Sequence, residues 1–343
     1  MNDDVTTARV SLPMRRSLHD EIALRLGRAL IGIFAPAGDR ARLTILIHHR
    51  VRRAPDPLFP GELDAEHFER HLGIVSALFN VLPLAEALRR LRDGTLPARP
   101  AAITFDDGYA DNAEVALPIL QRHRLHATFF VSTGFLDGGR MWNDTIIESL
   151  RIAVGDILDL APIGLRAFGI ATVAERRATI KAVIDSSKYL PATERDDRCR
   201  EIARIAGATL PGNLMMTTDQ VRALHLAGMG IGAHTVSHPI LSRIPEAMAR
   251  REIGDGRDAL EAITRTPVTL FAYPNGKPGS DYRDEHVRIV RSLGFAAALS
   301  TGWGAATRAS DVFQLPRFTP WDRTAPKIAL RFMRNLTVAT SSA

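Results

Sequence analysis

Ala101-Ala102-Ile103-Thr104-Phe105-Asp106-Asp107-Gly108 is an apolar run long enough for a buried strand, and it ends on two adjacent carboxylates and a glycine. Side-by-side acids repel each other, so such a pair is costly unless a cation holds one carboxylate and chemistry employs the other. Further ligands for a cation stand together downstream. His234-Thr235-Val236-Ser237-His238-Pro239 follows a second apolar run, Met229 to Ala233, and offers two imidazoles four residues apart. Neutral imidazole together with carboxylate suits a borderline divalent ion such as zinc.

Outward from these two motifs the pattern repeats. Apolar runs at Leu43 to His48, Ala101 to Phe105, Ala127 to Ser132, Met229 to Ala233, Val268 to Tyr273 and Ala296 to Ser300 alternate with stretches of helical period. That alternation predicts an α/β fold with parallel strands. The helices are expected at Asp64 to Phe79, where Phe68, Leu72, Val75 and Phe79 share one stripe, then at Leu84 to Leu91, Asn112 to His123, Asp219 to Ala227, Pro245 to Ile263 and Asp284 to Leu293. Both candidate metal motifs then fall in loops after strands, on the edge where parallel sheets and barrels place active sites. Asp111 reads as a helix cap. Residues 138–211 break the alternation and read as a mostly helical insertion, with helices over Thr172 to Tyr189 and Thr193 to Ala206, serving as a lid or as decoration.

The 343 residues are 45% apolar, enough for a substantial core. A net charge of +6 suits anionic surroundings such as phosphorylated carriers or a membrane face. The basic residues are spread along the chain without a nucleic-acid motif, so no nucleic-acid partner is expected. Cys199 is the only cysteine, which rules out an intramolecular disulfide and reads as a structural thiol. The segment Met1 to Arg16 is polar and then basic, and the apolar piece Ala29 to Pro36 falls short of the ~20 residues of a spanning helix. With no secretory cleavage pattern either, the expected location is cytoplasmic. Leu18 to Phe34 reads as an amphipathic helix that docks on its own domain or, less commonly, on a membrane.

Thr104-Phe105-Asp106-Asp107-Gly108-Tyr109 with Asp111-Asn112, followed by His-Thr-x-x-His-Pro at His234 to Pro239, resembles the polysaccharide deacetylase family. This is the NodB-homology group, carbohydrate esterase family four, and the resemblance runs from Leu43 to Arg317 apart from the insertion. It implies a deformed (β/α) barrel over residues 41–330, with an N-terminal helical arm at 1–40, the helical insertion at 138–211 and a C-terminal tail at 331–343. It also implies metal-assisted removal of acetyl groups from an N-acetylated sugar or, in some members, an O-acetylated one. By position, Asp107, His234 and His238 would hold the metal and Asp106 would be the general base. Zinc with three protein ligands keeps one position open and lowers the pKa of bound water toward about 7. The backbone amide of Tyr109 would help hold the oxyanion, with Gly108 allowing the tight turn.

Two family motifs are altered. The usual Arg-Pro-Pro-Tyr-like segment is replaced by Phe271-Ala272-Tyr273-Pro274-Asn275-Gly276, without the arginine, and Leu315-Pro316-Arg317 stands where a late Leu-x-His would supply the acid. Leu46-Ile47-His48-His49-Arg50-Val51, however, presents histidine at the end of the first candidate strand. This is similar to the circularly permuted poly-N-acetylglucosamine deacetylase subgroup, in which the acid histidine comes first. His49 fits that position, and alternation along the strand sends His48 to the opposite side. Arg317, by its place in the chain, is the candidate to replace the missing arginine and pair with Asp106. Tyr273 and Pro274 are candidates for lining an acetyl pocket, and Trp303, in a glycine-rich loop, for stacking on a sugar. Trp142 and Trp321 would stack likewise or pack. The expected activity is hydrolysis of the acetamide of an N-acetylhexosamine, in a glycan or a carrier-linked sugar, with zinc as cofactor. An O-acetyl glycan esterase and a catalytically impaired carbohydrate-binding homologue are the alternatives, and peripheral contact with a membrane or a lipid-linked sugar would suit the charge. Oligomeric state is not legible in the chain.

Overall fold

The computed structural model describes residues 18–320 and 322–338, so Met1 to Arg16 and Trp321 lie outside the described residues. Seven parallel strands form the main sheet: β1 (Thr44–His48), β2 (Asn80–Val81), β3 (Pro100–Phe105), β4 (Ala127–Val131), β5 (Gly230–Ala233), β6 (Leu270–Ala272) and β7 (Ala297–Leu299). Their order is β1-β3-β4-β5-β6-β7, with β2 paired to the start of β3. All six strands expected from the apolar runs are present. β2 is the addition, two residues too short to carry a pattern.

An irregular segment, 312–318, turns this sheet into a deformed (β/α) barrel. Leu315 N–H donates to the Ala298 carbonyl and Ser300 N–H to that of Leu315, while Phe318 N–H donates to Ile45 and Ile47 N–H to Phe318. The segment thus spans the gap between β7 and β1. Pro316 sits in its middle and has no N–H to give, which keeps it from becoming a regular strand.

The expected helices are present, with α5 and α11 in addition: α1 (Leu18–Phe34), α2 (Ala65–Leu78), α3 (Leu84–Asp93), α4 (Leu117–Arg122), α5 (Trp142–Ile152), α6 (Val173–Ser187), α7 (Ala192–Ile205), α8 (Thr218–Leu226), α9 (Glu246–Thr264), α10 (Asp284–Ser292) and α11 (Ala325–Thr337). Asp64 caps α2 by accepting from His67 N–H, and Thr217 with Gln220 closes a capping box on α8. A π-helical turn, Asn112–Ala116, precedes α4. The helix α1 docks on α2 and α11, burying Leu24, Gly27 and Ile31. The tail expected from residue 331 is instead helical through Thr337, because Ile328, Phe332 and Leu336 of α11 form a buried stripe at helical spacing.

Within 138–211, α5, α6, α7 and a short antiparallel ribbon (Ile157–Asp159 with Ala167–Gly169) share a core of their own built from Ile146, Leu150, Phe168, Val183, Cys199 and Ile202. Burial pushes the Cys199 thiol up to about 11, so it stays protonated and inert as a structural residue. Among the described residues no helix is long and apolar enough to cross a membrane.

Candidate active site

Loops at the carboxyl ends of β1, β3 and β5 and the turns after β6 and β7 converge on one cavity of about 280 Å³. Asp106 and Asp107 leave β3 in opposite roles because the chain turns sharply there: Asp107 has φ +78° and Gly108 +90°. A Cβ on Gly108 would lie 2.9 Å from Val131, so only glycine fits both the dihedral and the space. The loop after β5 is equally constrained, with Thr235 at φ +67° and His238 at +51°. Positive φ is an outlier for a β-branched residue, and it persists here because the surroundings hold it. Glu252 of α9 accepts from the backbone N–H groups of Val236 and Ser237 and from the Ser237 hydroxyl, while Thr235 Oγ1 accepts from His238 N–H.

These turns bring Asp107, His234 and His238 together. Asp107 Oδ1 lies 3.5 Å from His234 Nε2 and 3.4 Å from His238 Nε2, and all three atoms fall within 4.8 Å of one another. The oxygen is buried and accepts no hydrogen bond. Bonds of about 2.0–2.2 Å to a tetrahedral ion set ligand atoms roughly 3.4 Å apart, so both spacing and donor type fit zinc or a similar divalent cation. His234 Nδ1 lies 2.7 Å from the Ala272 carbonyl, which can only accept; the proton sits on Nδ1 and the Nε2 lone pair faces Asp107. Burial drives His238 down to about 4 against the pull of Asp107, leaving it neutral near pH 7. For His234 burial acts the same way, but Asp106 and Asp107 outweigh it and raise the pKa. Burial also opposes charge on Asp107, yet the adjoining imidazoles of His234 and His238 outweigh it and keep the carboxyl far below the usual range.

Asp106 stands beside this cluster, with Oδ2 3.9 Å from His234 Nε2. Arg317, only 1% exposed, donates through Nη1 to Oδ1 at 2.6 Å and through Nη2 to Oδ2 at 2.7 Å, while its Nε donates to the Ser300 carbonyl. Burial penalises the Asp106 charge, but the Arg317 guanidinium and then His234 outweigh it, so the carboxylate stays ionised. Arg317 reaches this point because Pro316 and Phe318 ride in the segment that closes the barrel.

His49 and His48 part as strand alternation requires. His49 is exposed and lines the cavity with Asp106, Asp107, His234 and His238. His48 turns into the core against Phe68, His71 and Phe105, where burial, then His71, keep it neutral. Asn112 donates to the His49 carbonyl, and Asp111 accepts from Arg50 Nε and Val51 N–H. Asp111 therefore does not cap its helix with its side chain as expected; it ties the His49 loop to the loop after β3.

Tyr109 is buried under Arg50, whose guanidinium carbon is 4.3 Å from the ring centre. Gly108 accepts from Met216 N–H and Ala110 N–H donates to Leu214, and neither bond uses the N–H of Tyr109. Its hydroxyl is 3.4 Å from Asp144, a buried carboxyl that burial pushes up to about 7.

Tyr273, Pro274 and Trp303, the sugar contacts expected from the sequence, do not line the cavity. Tyr273 is fully buried, stacked on Tyr282 at 3.8 Å, and donates its hydroxyl to the Phe313 carbonyl; it packs the barrel wall and does not line the cavity. Pro274 is buried beside it, and Trp303 packs edge-on against Phe318; both stand outside the cavity lining. Asn275 and Thr301 line it instead, with Thr301 Oγ1 donating to the Asn275 carbonyl. The Asn275-Gly276 turn immediately after an apolar run was the available signal for them. Trp142, Ile184, Lys188 and Arg195 of the insertion form the opposite wall, so the insertion shapes the cleft.

The family model described as polysaccharide deacetylase matches residues 93–151 and 190–298, and the interval between falls within the insertion. A Bacillus subtilis (strain 168) protein whose curated name places it among the polysaccharide deacetylases, YxkH, is 19% identical over 279 residues, 81% of this chain and 71% of that protein. Among solved structures, the Streptococcus pyogenes deacetylase PplD in complex with acetate aligns with a TM-score of 0.57 at 20% identity, over 85% of this chain and 98% of that one. IcaB from Ammonifex degensii aligns with a TM-score of 0.55 at 18% identity, over 87% and 98%. His49 and Arg317 lie outside the segments that the family model matches, on either side of them. With its two motifs in the matched segments and its barrel in common with these structures, the chain belongs to the polysaccharide deacetylase family, hydrolases of carbon–nitrogen bonds other than peptide bonds.

Proposed function

We propose that the protein hydrolyses the acetamide of an N-acetylhexosamine, in a glycan or on a carrier, and depends on a divalent metal, zinc first. The observation that carries this reading is the Arg317-clamped Asp106 placed beside, and not within, the Asp107, His234 and His238 cluster. A divalent ion in that cluster supplies Lewis acidity, making a water more acidic and polarising the acetyl carbonyl.

The remaining work belongs to the chain. Asp106, kept ionised by Arg317, accepts the proton of the attacking water, using oxygen lone pairs that the guanidinium leaves free. As the acetyl oxygen gains charge, the Tyr109 N–H, outside the two bonds that fix its loop, would serve as its donor. The carbon–nitrogen bond then breaks, and the amine leaves with a proton from His49, the exposed imidazole across the cavity. Asn112 and Asp111 hold the His49 loop and act as positioning residues.

Asp106→Asn tests the assignment. The variant is expected to bind one equivalent of zinc like the parent, since Asp106 is not a ligand, while acetate release from N-acetylated oligosaccharides falls by at least about 100-fold, as for loss of a general base. Full turnover in the purified variant would remove Asp106 from the chemistry.

A further inference from the structure

The insertion lines the cavity with Met141, Trp142, Asn143, Ile184, Lys188 and Arg195: two cations and no acid. Lys188 is the residue that ends α6, and Arg195 lies near the start of α7, so one helical hairpin presents both. Of the neighbouring acids, Asp185 pairs with Lys181, Glu194 with Arg198 and Asp197 with Arg200, and Asp196 makes no ion pair with Arg195. Arg195 rests its guanidinium on the Trp142 ring at 5.0 Å, and its Nε is buried without an acceptor. Burial disfavours the Arg195 charge, with Asp196 giving only through-space relief. A half-buried guanidinium without a carboxylate is expensive to hold, and it is held facing the catalytic floor.

We propose that this wall is a phosphate subsite, and that the substrate is an N-acetylated sugar bearing a phosphate ester. The inference rests on the deacetylase reading of the same cavity. Guanidinium engages two phosphate oxygens and ammonium a third as a point charge, together matching a dianion, whereas a neutral glycan offers neither group a partner. Lys188 and Arg195 line the cavity from the insertion, and Asp106, Asp107 and His49 line it from the barrel, so a phosphate seated on the insertion leaves the acetamide free to reach the barrel side.

The test compares N-acetylglucosamine 1-phosphate with its neutral methyl glycoside, measuring acetate release by the zinc-loaded protein. The phosphorylated sugar is expected to show a kcat/KM at least about tenfold higher, and Arg195→Gln or Lys188→Gln each to lower that ratio several-fold. Calorimetric binding of the sugar phosphate to the turnover-blocked Asp106→Asn protein reads the subsite separately: binding that disappears in Asp106→Asn/Arg195→Gln supports it even if no sugar is hydrolysed by the parent. Offering the same sugar on a nucleoside diphosphate and on a short prenyl diphosphate identifies the carrier, and preference for either supports the phosphate. A ratio near one in the parent, a ratio unmoved by both substitutions, or preference for a carboxylate-bearing sugar such as N-acetylmuramic acid would overturn the assignment.

Discussion

Arg317 donates to both oxygens of Asp106 across 211 residues of sequence, and both groups are buried. Removing one member of such a pair leaves a buried charge uncompensated, at a cost of about 3–5 kcal/mol. Arg317→Met is therefore expected to lower stability by that order. Arg317→Lys keeps the charge but not the two-pronged geometry, so it should fold, lose at least about tenfold in kcat/KM, and move the acid limb of the pH profile upward as Asp106 becomes easier to protonate. An unchanged profile in Arg317→Lys would show that the fork does not tune the base. Asp144 behaves in the opposite sense. Its carboxyl is raised to about 7 chiefly by burial, so between its ordinary pKa and that value the folded state binds more protons than the unfolded one. Its contribution to stability is present below pH 3.8 and is lost as pH rises through about 7. Asp144→Asn should accordingly raise the Tm more at pH 8 than at pH 5, by thermal unfolding at both; equal shifts would exclude a titrating Asp144.

Elements rather than single side chains set the metal loop. Helix α9 approaches the loop after β5 so closely that a Cβ on Gly256 would lie 2.9 Å from the Thr235 carbonyl carbon and 3.0 Å from its oxygen. Gly256→Ala must displace either the helix or the loop, and overpacking of this kind costs about 1–3 kcal/mol. Because Thr235 already holds a strained φ between the two histidines, the substitution should weaken zinc affinity as well as lower the Tm, measured by competitive titration with a chromophoric chelator. Loss of Tm with unchanged affinity would separate the helix from the site. At this scale the sequence was readable wherever apolar runs bury on both sides, as in β3 and β4, or where a cap opens a periodic stretch, as Asp64 does for α2. Segment 312–318 was not readable as a barrel-closing element, since Pro316 interrupts the very pattern that marks a strand. The burial of Tyr273 was not readable, because a tyrosine at a strand end looks the same from sequence whether its ring meets ligand or, as here, another tyrosine. The pairing of Arg317 with Asp106 followed only from chain position, as nothing local in Leu315-Pro316-Arg317 points to a carboxylate so far away.

Across the whole molecule, the barrel supplies the chemistry on one side of the cleft and the insertion walls the other. The histidine at β1 and the arginine before residue 318 close the site from the two ends of the barrel, where the family model does not reach. Their convergence depends on segment 312–318 bridging β7 to β1, which makes barrel closure and assembly of the site one event. Everything in the reaction scheme depends on a divalent ion between Asp107, His234 and His238. The most direct measurement is acetate release from an N-acetylated sugar by chelator-stripped protein as zinc is returned in substoichiometric steps. Release should be absent at the start and rise linearly to a plateau at one ion per chain, with His238→Ala silent throughout. Undiminished release from the stripped protein would contradict the account.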